Sequence, residues 1–444
     1  MEHLPNELLL YIGKYTQQGF HPQSTLHSLS QCCRRFHDLF QPLRYSYLFF
    51  SSSFSYKSVD LVMRLWRRPD LASQVRRLYL CWSDCDQNHI DRHDKDNKAA
   101  NFIEEALNEI FTPEEKETRE VWEEHLNGEG LCAEAWLGLL LVRLTHLQEI
   151  EFGHERSDLM SDILIKAANR QQPFHQGTPF PLLQDVRACV AWGASWIDSG
   201  FLLPFFYFPA VRRIYGTGIR ETKDDENMCL ANHQPLCPVQ EITVEEGYWS
   251  RGMLDWLAVC TNLQHVSITV DLQADEYELD EEDQFDASQF WEALLPFTGT
   301  LKTLCIQYEY GYKALVVDEK SVEESPFGSF KDFTVLETLT VRHDHLMGPS
   351  DDSDDSSQDW EMKPLAETLP LSLVSLRITD ITVDRHLELL SELSKLLRHV
   401  HTFSKLERLV LYIQSEDEEE IGDVFDVLRA EYQVTNVSLT IETE

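Results

Sequence analysis

Two periodicities divide the chain. At its start Leu4, Leu8 and Ile12 recur every fourth residue, the spacing of one face of an α-helix. Pro5 suits a first helical turn, where its missing N–H would go unpaired anyway, and Glu7 complements a helix N-terminus. After a break at 19–22, Ser24 or Thr25 can cap a second helical stretch. There Leu26, Leu29, Cys33, Phe36 and Phe40 fall at helical spacing until Pro42 is expected to stop it. Residues 1–50 therefore read as a compact helical unit.

From Val75 onward a different pattern takes over: apolar-x-x-apolar-x-apolar. It begins at Val75, Leu147, Leu183, Val211, Val239, Leu263, Leu301, Leu336, Leu373, Leu406 and Val434, and from Leu147 the intervals run from 24 to 38 residues. The last three positions of each copy alternate as a half-buried strand requires. Helical stretches at 253–259, 290–295, 387–400 and 421–428 lie between copies. One strand and one helix cannot bury an apolar face alone, but stacked neighbours make a continuous core and a parallel sheet. The expected fold is α/β: a helical N-terminal unit followed by an irregular solenoid over 147–444, with a curved parallel sheet. About ten strands at about 4.8 Å would span roughly 45 Å. Residues 51–146 read as a junction, the first repeat strand and a helical insertion. The interval from Leu80 to Leu147 holds three helical stretches, at 99–111, 113–126 and 132–144, and reads as one or two aberrant repeats plus that insertion.

Composition sharpens this picture. The 444 residues are 43% hydrophobic, enough for a sizeable core. The longest apolar run, 201–211, contains Pro204 and Pro209 and falls well short of the roughly 18 residues of a membrane span. No basic segment followed by an apolar block opens the chain, so the expected location is intracellular, cytoplasmic or nuclear. The ten cysteines are scattered and are expected to be reduced, buried thiols. Net charge is −38, unevenly spread: residues 1–80 balance to +5 and the rest to −43. Nucleic acid, which needs its phosphates neutralised, is not an expected partner of the acidic part. The segments 273–284, 349–360 and 415–420 are acidic, nearly devoid of apolar residues, and follow repeat strands. They serve solubility or steer a basic partner toward the repeats. Ser350, Ser353 and Ser415 in or beside them precede acidic residues, a context suited to acidophilic kinases.

Candidate chemistry is sparse. There is no nucleophile elbow, phosphate loop, HExxH or dinucleotide fingerprint, so neither catalysis nor a cofactor is expected. Cys81, Cys85, His89 and His93 have ligand chemistry, but their even spacing would spread them about 18 Å along a helix. A polar loop, with no metal, is the expectation. The aromatic run from Trp192 to Phe208 reads as solenoid core or as an anchor for a partner. Arg67, Arg68, Arg76 and Arg77 read as a solvated face or as a contact for an acidic partner.

The N-terminal residues carry a family resemblance. Leu4, Pro5, Glu7 and Leu8, then Leu26 and Leu29, then Cys32, Cys33, Arg34, Arg35 and Phe36, and finally Pro42, Leu43 and Tyr45 resemble the F-box in order. Arg44 stands where a second Leu is common. The repeats resemble the leucine-rich repeat, in divergent form, because the family's Asn or Cys after the strand is mostly missing. The combination is similar to that of many fungal F-box proteins. It implies docking onto a Skp-family adaptor, and through it onto a cullin, with Leu4, Pro5, Leu8, Ile12, Leu26, Leu29, Cys32 and Phe36 as the adaptor-binding residues. It also implies that the repeats bind a protein substrate, and the acidic segments fit a basic one. The alternatives are an interaction scaffold outside any ligase and an enzyme with an unrecognised site.

Overall fold

The computed structural model describes residues 4–16, 22–51, 54–82, 97–128, 130–153, 158–190, 196–221, 237–248, 250–271, 285–308, 326–348, 364–381, 386–398, 401–413, 425, 428–433 and 435–443. They form two compact units, 4–212 and 213–443.

The first unit opens with helices α1 (Asn6–Thr16), α2 (Pro22–Cys32) and α3 (Arg34–Ser46). Ser24 and Thr25 lie inside α2 rather than capping it. Pro42 lies inside α3, which runs on to Ser46. A proline this close to a helix end disturbs only the last turns, so it does not have to terminate the helix. Strand β1 (Tyr47–Phe50) follows directly. Next come α4 (Tyr56–Arg67), α5 (Pro69–Ala72), β2 (Arg77–Leu80), α6 (Asn97–Ile110), α7 (Lys116–Asn127), α8 (Ala133–Arg143), β3 (Glu149–Phe152), α9 (Asp158–Ala168), β4 (Asp185–Cys189), the two-residue β5 (Ile197–Asp198) and α10 (Ser199–Leu202). Strands β1 to β4 pair in parallel, in sequence order. Leu48, Leu78, Ile150 and Val186 stand side by side on one buried rung, and Phe50, Leu80, Phe152 and Ala188 on the next.

Two expectations are corrected here. The repeat strands begin one copy before Val75, at Tyr47, inside the stretch read as purely helical. Its YLFF is too short to show an alternation and follows a helix without a break. Among the described residues, the interval from Leu80 to Leu147 also holds no strand of its own, and β2 pairs directly with β3. All three expected helices are present, as α6, α7 and α8.

The second unit contains β6 (Arg213–Arg220), β7 (Glu241–Tyr248), α11 (Leu254–Val259), β8 (His265–Asp271), α12 (Ala287–Leu294), β9 (Thr303–Tyr308), β10 (Thr338–Arg342), α13 (His343–Met347), α14 (Leu365–Thr368), β11 (Ser375–Ile381), α15 (His386–Arg398), β12 (Arg408–Ile413) and β13 (Ser438–Thr443). The eight strands pair in parallel, in sequence order. One rung runs through Ile214, Ile242, Val266, Leu304, Leu339, Leu376 and Leu409, all fully buried, to Leu439 on the last strand. The leading apolar residue of every copy from Val75 to Leu406 is buried as well. All eleven copies of the sequence pattern thus end in a parallel strand, and the solenoid-like α/β architecture is the one the pattern predicts.

Candidate interaction surfaces

The helical unit has a small core of Leu9, Leu26, Phe36 and Phe40, with Leu4, Leu29, Cys33, Leu39 and Leu43 packed against it. Gly13 sets how α1 lies on α3: a Cβ there would come within 2.6 Å of Leu43 Cδ1 and 2.8 Å of Phe40 Cε1. Leu9 and Gly13 therefore face inward, and the opposite side of α1 faces solvent. Leu8 is 50% exposed, Tyr11 70% and Tyr15 72%. Arg35 pins the start of α1, donating to Asn6 Oδ1 at 2.9 and 2.7 Å and to the Leu4 carbonyl at 2.5 Å.

The eight residues assigned to adaptor binding do not share one surface. Pro5, Leu8 and Cys32 are exposed, and Leu4, Ile12 and Leu29 are half-buried. Leu26, expected on the contact face, and Phe36, expected near it, are 0% and 5% exposed and belong to the core. Three short helices must turn their best apolar groups inward to make any core at all. The leucine run Leu8-Leu9-Leu10 hid the helical phase, because each of its members could have been the inward one. Tyr11 and Tyr15 were missed, although with Leu8 they stand at i, i+3 and i+7, one helix face.

The open face of the first unit's sheet is aromatic and charged. Tyr47, Arg77, Glu149 and Asp185 occupy one row, and Phe49, Tyr79, Glu151 and Arg187 the next. The Phe49 and Tyr79 rings stack at 4.6 Å and 11°. The Arg77 guanidinium lies 5.2 Å from the Tyr47 ring centroid, and Arg187 Nε is 3.8 Å from Glu149 Oε1. Burial, with help from the nearby sulfur of Cys81 and from Glu151, pushes the Tyr79 hydroxyl up to about 12.

The second unit's open face has another chemistry. Its central row reads Tyr215, Thr243, Ser267, Cys305, Thr340, Arg377, Val410 and Thr440. Small hydroxyl and thiol side chains form the floor, and larger groups stand at either side. Tyr215 donates to Glu245 Oε2 at 2.5 Å and accepts from Thr217 Oγ1 at 3.0 Å. Arg377 lies over the Tyr412 ring at 4.9 Å and donates to Glu442 at 3.3 Å. Arg342 bonds Asp380 at 3.0 Å and lies 4.2 Å from the Tyr308 ring centroid. His265 Nδ1 and Thr303 Oγ1, 3.1 Å apart on neighbouring strands, add a further polar contact to this surface.

The remaining candidates sort as follows. Phe205, Phe206 and Phe208 of the aromatic run are fully buried core, while Trp196, Phe201 and Tyr207 are half-buried. Arg68 pairs with Asp70 at 2.7 Å, Arg76 donates to the Ser73 carbonyl at 2.5 Å, and Arg67 lies 5.6 Å from the Phe102 ring centroid. Of the described cysteines only Cys132, Cys237 and Cys260 are buried, and none is in a disulfide. Cys85, His89, His93 and the three acidic segments lie outside the described residues. Among those described, no three His, Cys, Asp or Glu side chains converge on a metal-sized site, and no helix is long and apolar enough to cross a membrane.

A comparison with curated proteins finds no match. A family model described as a leucine-rich repeat domain matches residues 192–436, more than half of the chain. Its span covers seven of the eight parallel strands of the second unit, with their shared rung of buried aliphatic side chains. Such domains suggest binding of other proteins. The chain belongs to the leucine-rich repeat domain family.

Proposed function

We propose that the chain is the substrate-recruiting subunit of a Skp/cullin/RING-type ubiquitin ligase acting in the cytoplasm or nucleus. Its helical unit, read as an F-box, binds a Skp-family adaptor and through it a cullin. The open face of the repeat sheet binds a protein substrate. One observation above all supports this reading: α1 leaves Leu8, Tyr11 and Tyr15 in solvent on a unit whose core is already filled. A run of exposed apolar groups on one helix face marks a contact surface. Pro5 and Cys32 are accessible with them, while Leu26 and Phe36 hold the helices in place from beneath. Ser46 ends α3 and Tyr47 opens β1, and the Ser46 carbonyl accepts from Arg76 N at 2.9 Å. A substrate on the adjoining repeats would be held at a fixed distance from the adaptor. Function is then proximity, a raised effective concentration of substrate near the transfer machinery.

The test is co-purification of the tagged full chain, comparing the native sequence with a Leu8→Asp, Tyr15→Asp variant. Both side chains are exposed, so thermal unfolding should not change. A charge buried without a partner at the interface costs several kcal/mol, enough to abolish a micromolar complex. Loss of adaptor and cullin together is the expected result. Retention of the adaptor by the variant would falsify the role of α1. Adaptor without cullin in the native sample would favour a scaffold outside any ligase.

A further inference from the structure

We propose that the open face of β1–β3 binds an arginine side chain carried on an extended segment of a protein partner, its guanidinium seated between the Phe49–Tyr79 stack and Glu151. The inference rests on reading the repeat sheet as the partner-binding face. It does not depend on the adaptor.

The placement follows from strand alternation. Leu48, Phe50, Leu78, Leu80, Ile150 and Phe152 point into the core, so the residues between them point out. The register sets Phe49, Tyr79 and Glu151 next to one another on three adjacent strands. Phe49 stacks on Tyr79 yet remains 55% exposed, an aromatic ring left in water on the first strand of the sheet. Such rings are typical anchors at interfaces.

Glu151 gives the charge of the occupant. Its near neighbours are already engaged: Glu149 with Arg187, and Arg77 over Tyr47. Glu151 itself is half-buried and makes no hydrogen bond or ion pair among the described residues. Burial pushes its carboxyl up, Glu149 adds to that, and Arg187 only partly opposes it. An apolar segment laid here would desolvate the carboxylate further without compensation. A cation would satisfy it and meet the outer face of the ring stack, on Tyr79, at once. The same sheet already carries such a contact, where Arg77 covers Tyr47. Arginine fits better than lysine because its planar group can stack on a ring while donating to a carboxylate. The face is a flat row with strands about 4.8 Å apart, which suits an extended chain.

The probe is a fluorescein-labelled Ala-Arg-Ala-Arg-Ala peptide, capped at its C-terminus, titrated against the purified full chain by fluorescence anisotropy. A citrulline counterpart has nearly the same shape without the charge. The arginine peptide should bind, and the citrulline peptide about five- to tenfold more weakly. Phe49→Ala and Glu151→Gln should each weaken the arginine peptide by about fivefold or more, with thermal unfolding unchanged. Equal binding of the two peptides, no binding at millimolar peptide, or full binding by both variants would overturn the proposal. So would self-association of the chain that disappears in Phe49→Ala, because a second copy would then be the occupant. Both variants should still co-purify with the adaptor, so failure here and failure of the ligase reading are separate results.

Discussion

Leu78 on β2 pairs with Ile150 on β3, and the chain between them builds α6, α7 and α8. Ile242 on β7 pairs with Val266 on β8, and the described connection holds only the six residues of α11 as regular structure. Both pairs are buried at the same kind of rung. A connection between parallel strands has to return the chain to the starting edge and cover the buried face. The two units meet that demand differently. The first covers its strands with long helices and large rings: Trp66 meets Phe102 edge-on at 5.8 Å, and Phe102 stacks on Trp136 at 5.9 Å. Apart from α15, the second uses single side chains from short helices and tight turns, such as Phe290, Phe297 and Phe330, each fully buried. Buried charge differs too. In the first unit Lys166 pairs with Glu115 over the Phe111 ring. In the second, Glu221 accepts from the backbone N–H groups of Arg251 at 2.7 Å, Met253 at 2.8 Å and Leu254 at 3.2 Å. The rung is the common requirement, and everything that hangs from it is free to vary.

If the rung is equivalent in both units, removing one member should cost about the same in each. Leu78→Ala and Leu376→Ala replace side chains that are 1% and 0% exposed. Each should destabilise its unit by about 2–5 kcal/mol through lost burial and the cavity left behind. Two units need not unfold together, so hydrogen exchange of the strands flanking each site is the appropriate measurement. A loss under about 1 kcal/mol for Leu78→Ala alone would mean that the first unit's helices, not its ladder, hold it together.

The buried Glu221 and the half-buried Glu115 that pairs with buried Lys166 give a finer separation. Glu221→Ala would leave several backbone N–H groups facing an apolar interior, and should cost about 3 kcal/mol. Lys166→Ala leaves Glu115, whose side chain is 30% exposed and can recover water. The cost there should be smaller, about 1–2 kcal/mol. Urea titrations followed by hydrogen exchange would read both. The reverse order would show that the ion pair is the stronger support.

The sequence made the ladder legible because its pattern has one physical cause. Every second residue of a strand must face the core, and eleven copies of that alternation leave little freedom of phase. β1 escaped notice because four residues with three aromatics show no clear alternation. The helical unit was legible as three helices, but its surface was not. In α1 the phase is set by Gly13, where α1 touches α3, and that is a contact between distant residues. The spacing of Leu4, Leu8 and Ile12 therefore did not reveal that Tyr11 and Tyr15 share the exposed face with Leu8. The Phe49–Tyr79–Glu151 row was out of reach for a related reason. Its members come from three strands, and only the register brings them together.

The smallest expected effect is on pH dependence, and there the two units should differ in sign. Glu115 is pushed up by burial, but hydrogen bonds from Lys166 and from Thr112 N–H outweigh that and leave its carboxyl below the ordinary range. Its contribution to stability is therefore present above about pH 4.3, the ordinary glutamate value, and is lost as pH falls through the lower folded value. Glu221 is the opposite case. Burial dominates, and the backbone N–H groups of Met253, Arg251 and Leu254 with the Arg251 guanidinium only partly offset it, so its carboxyl lies above the ordinary range. The folded state holds that proton more tightly than the unfolded chain does. The resulting stabilisation is present below about pH 4.3 and is lost as pH rises through the folded value. Glu115→Gln and Glu221→Gln remove one titration each. Between pH 3 and 7, the stability of the native sequence relative to Glu115→Gln should rise with pH, and relative to Glu221→Gln it should fall. Urea midpoints read unit by unit would give the two slopes. Slopes of the same sign would mean that the backbone donors around Glu221 hold its charge as firmly as Lys166 holds that of Glu115.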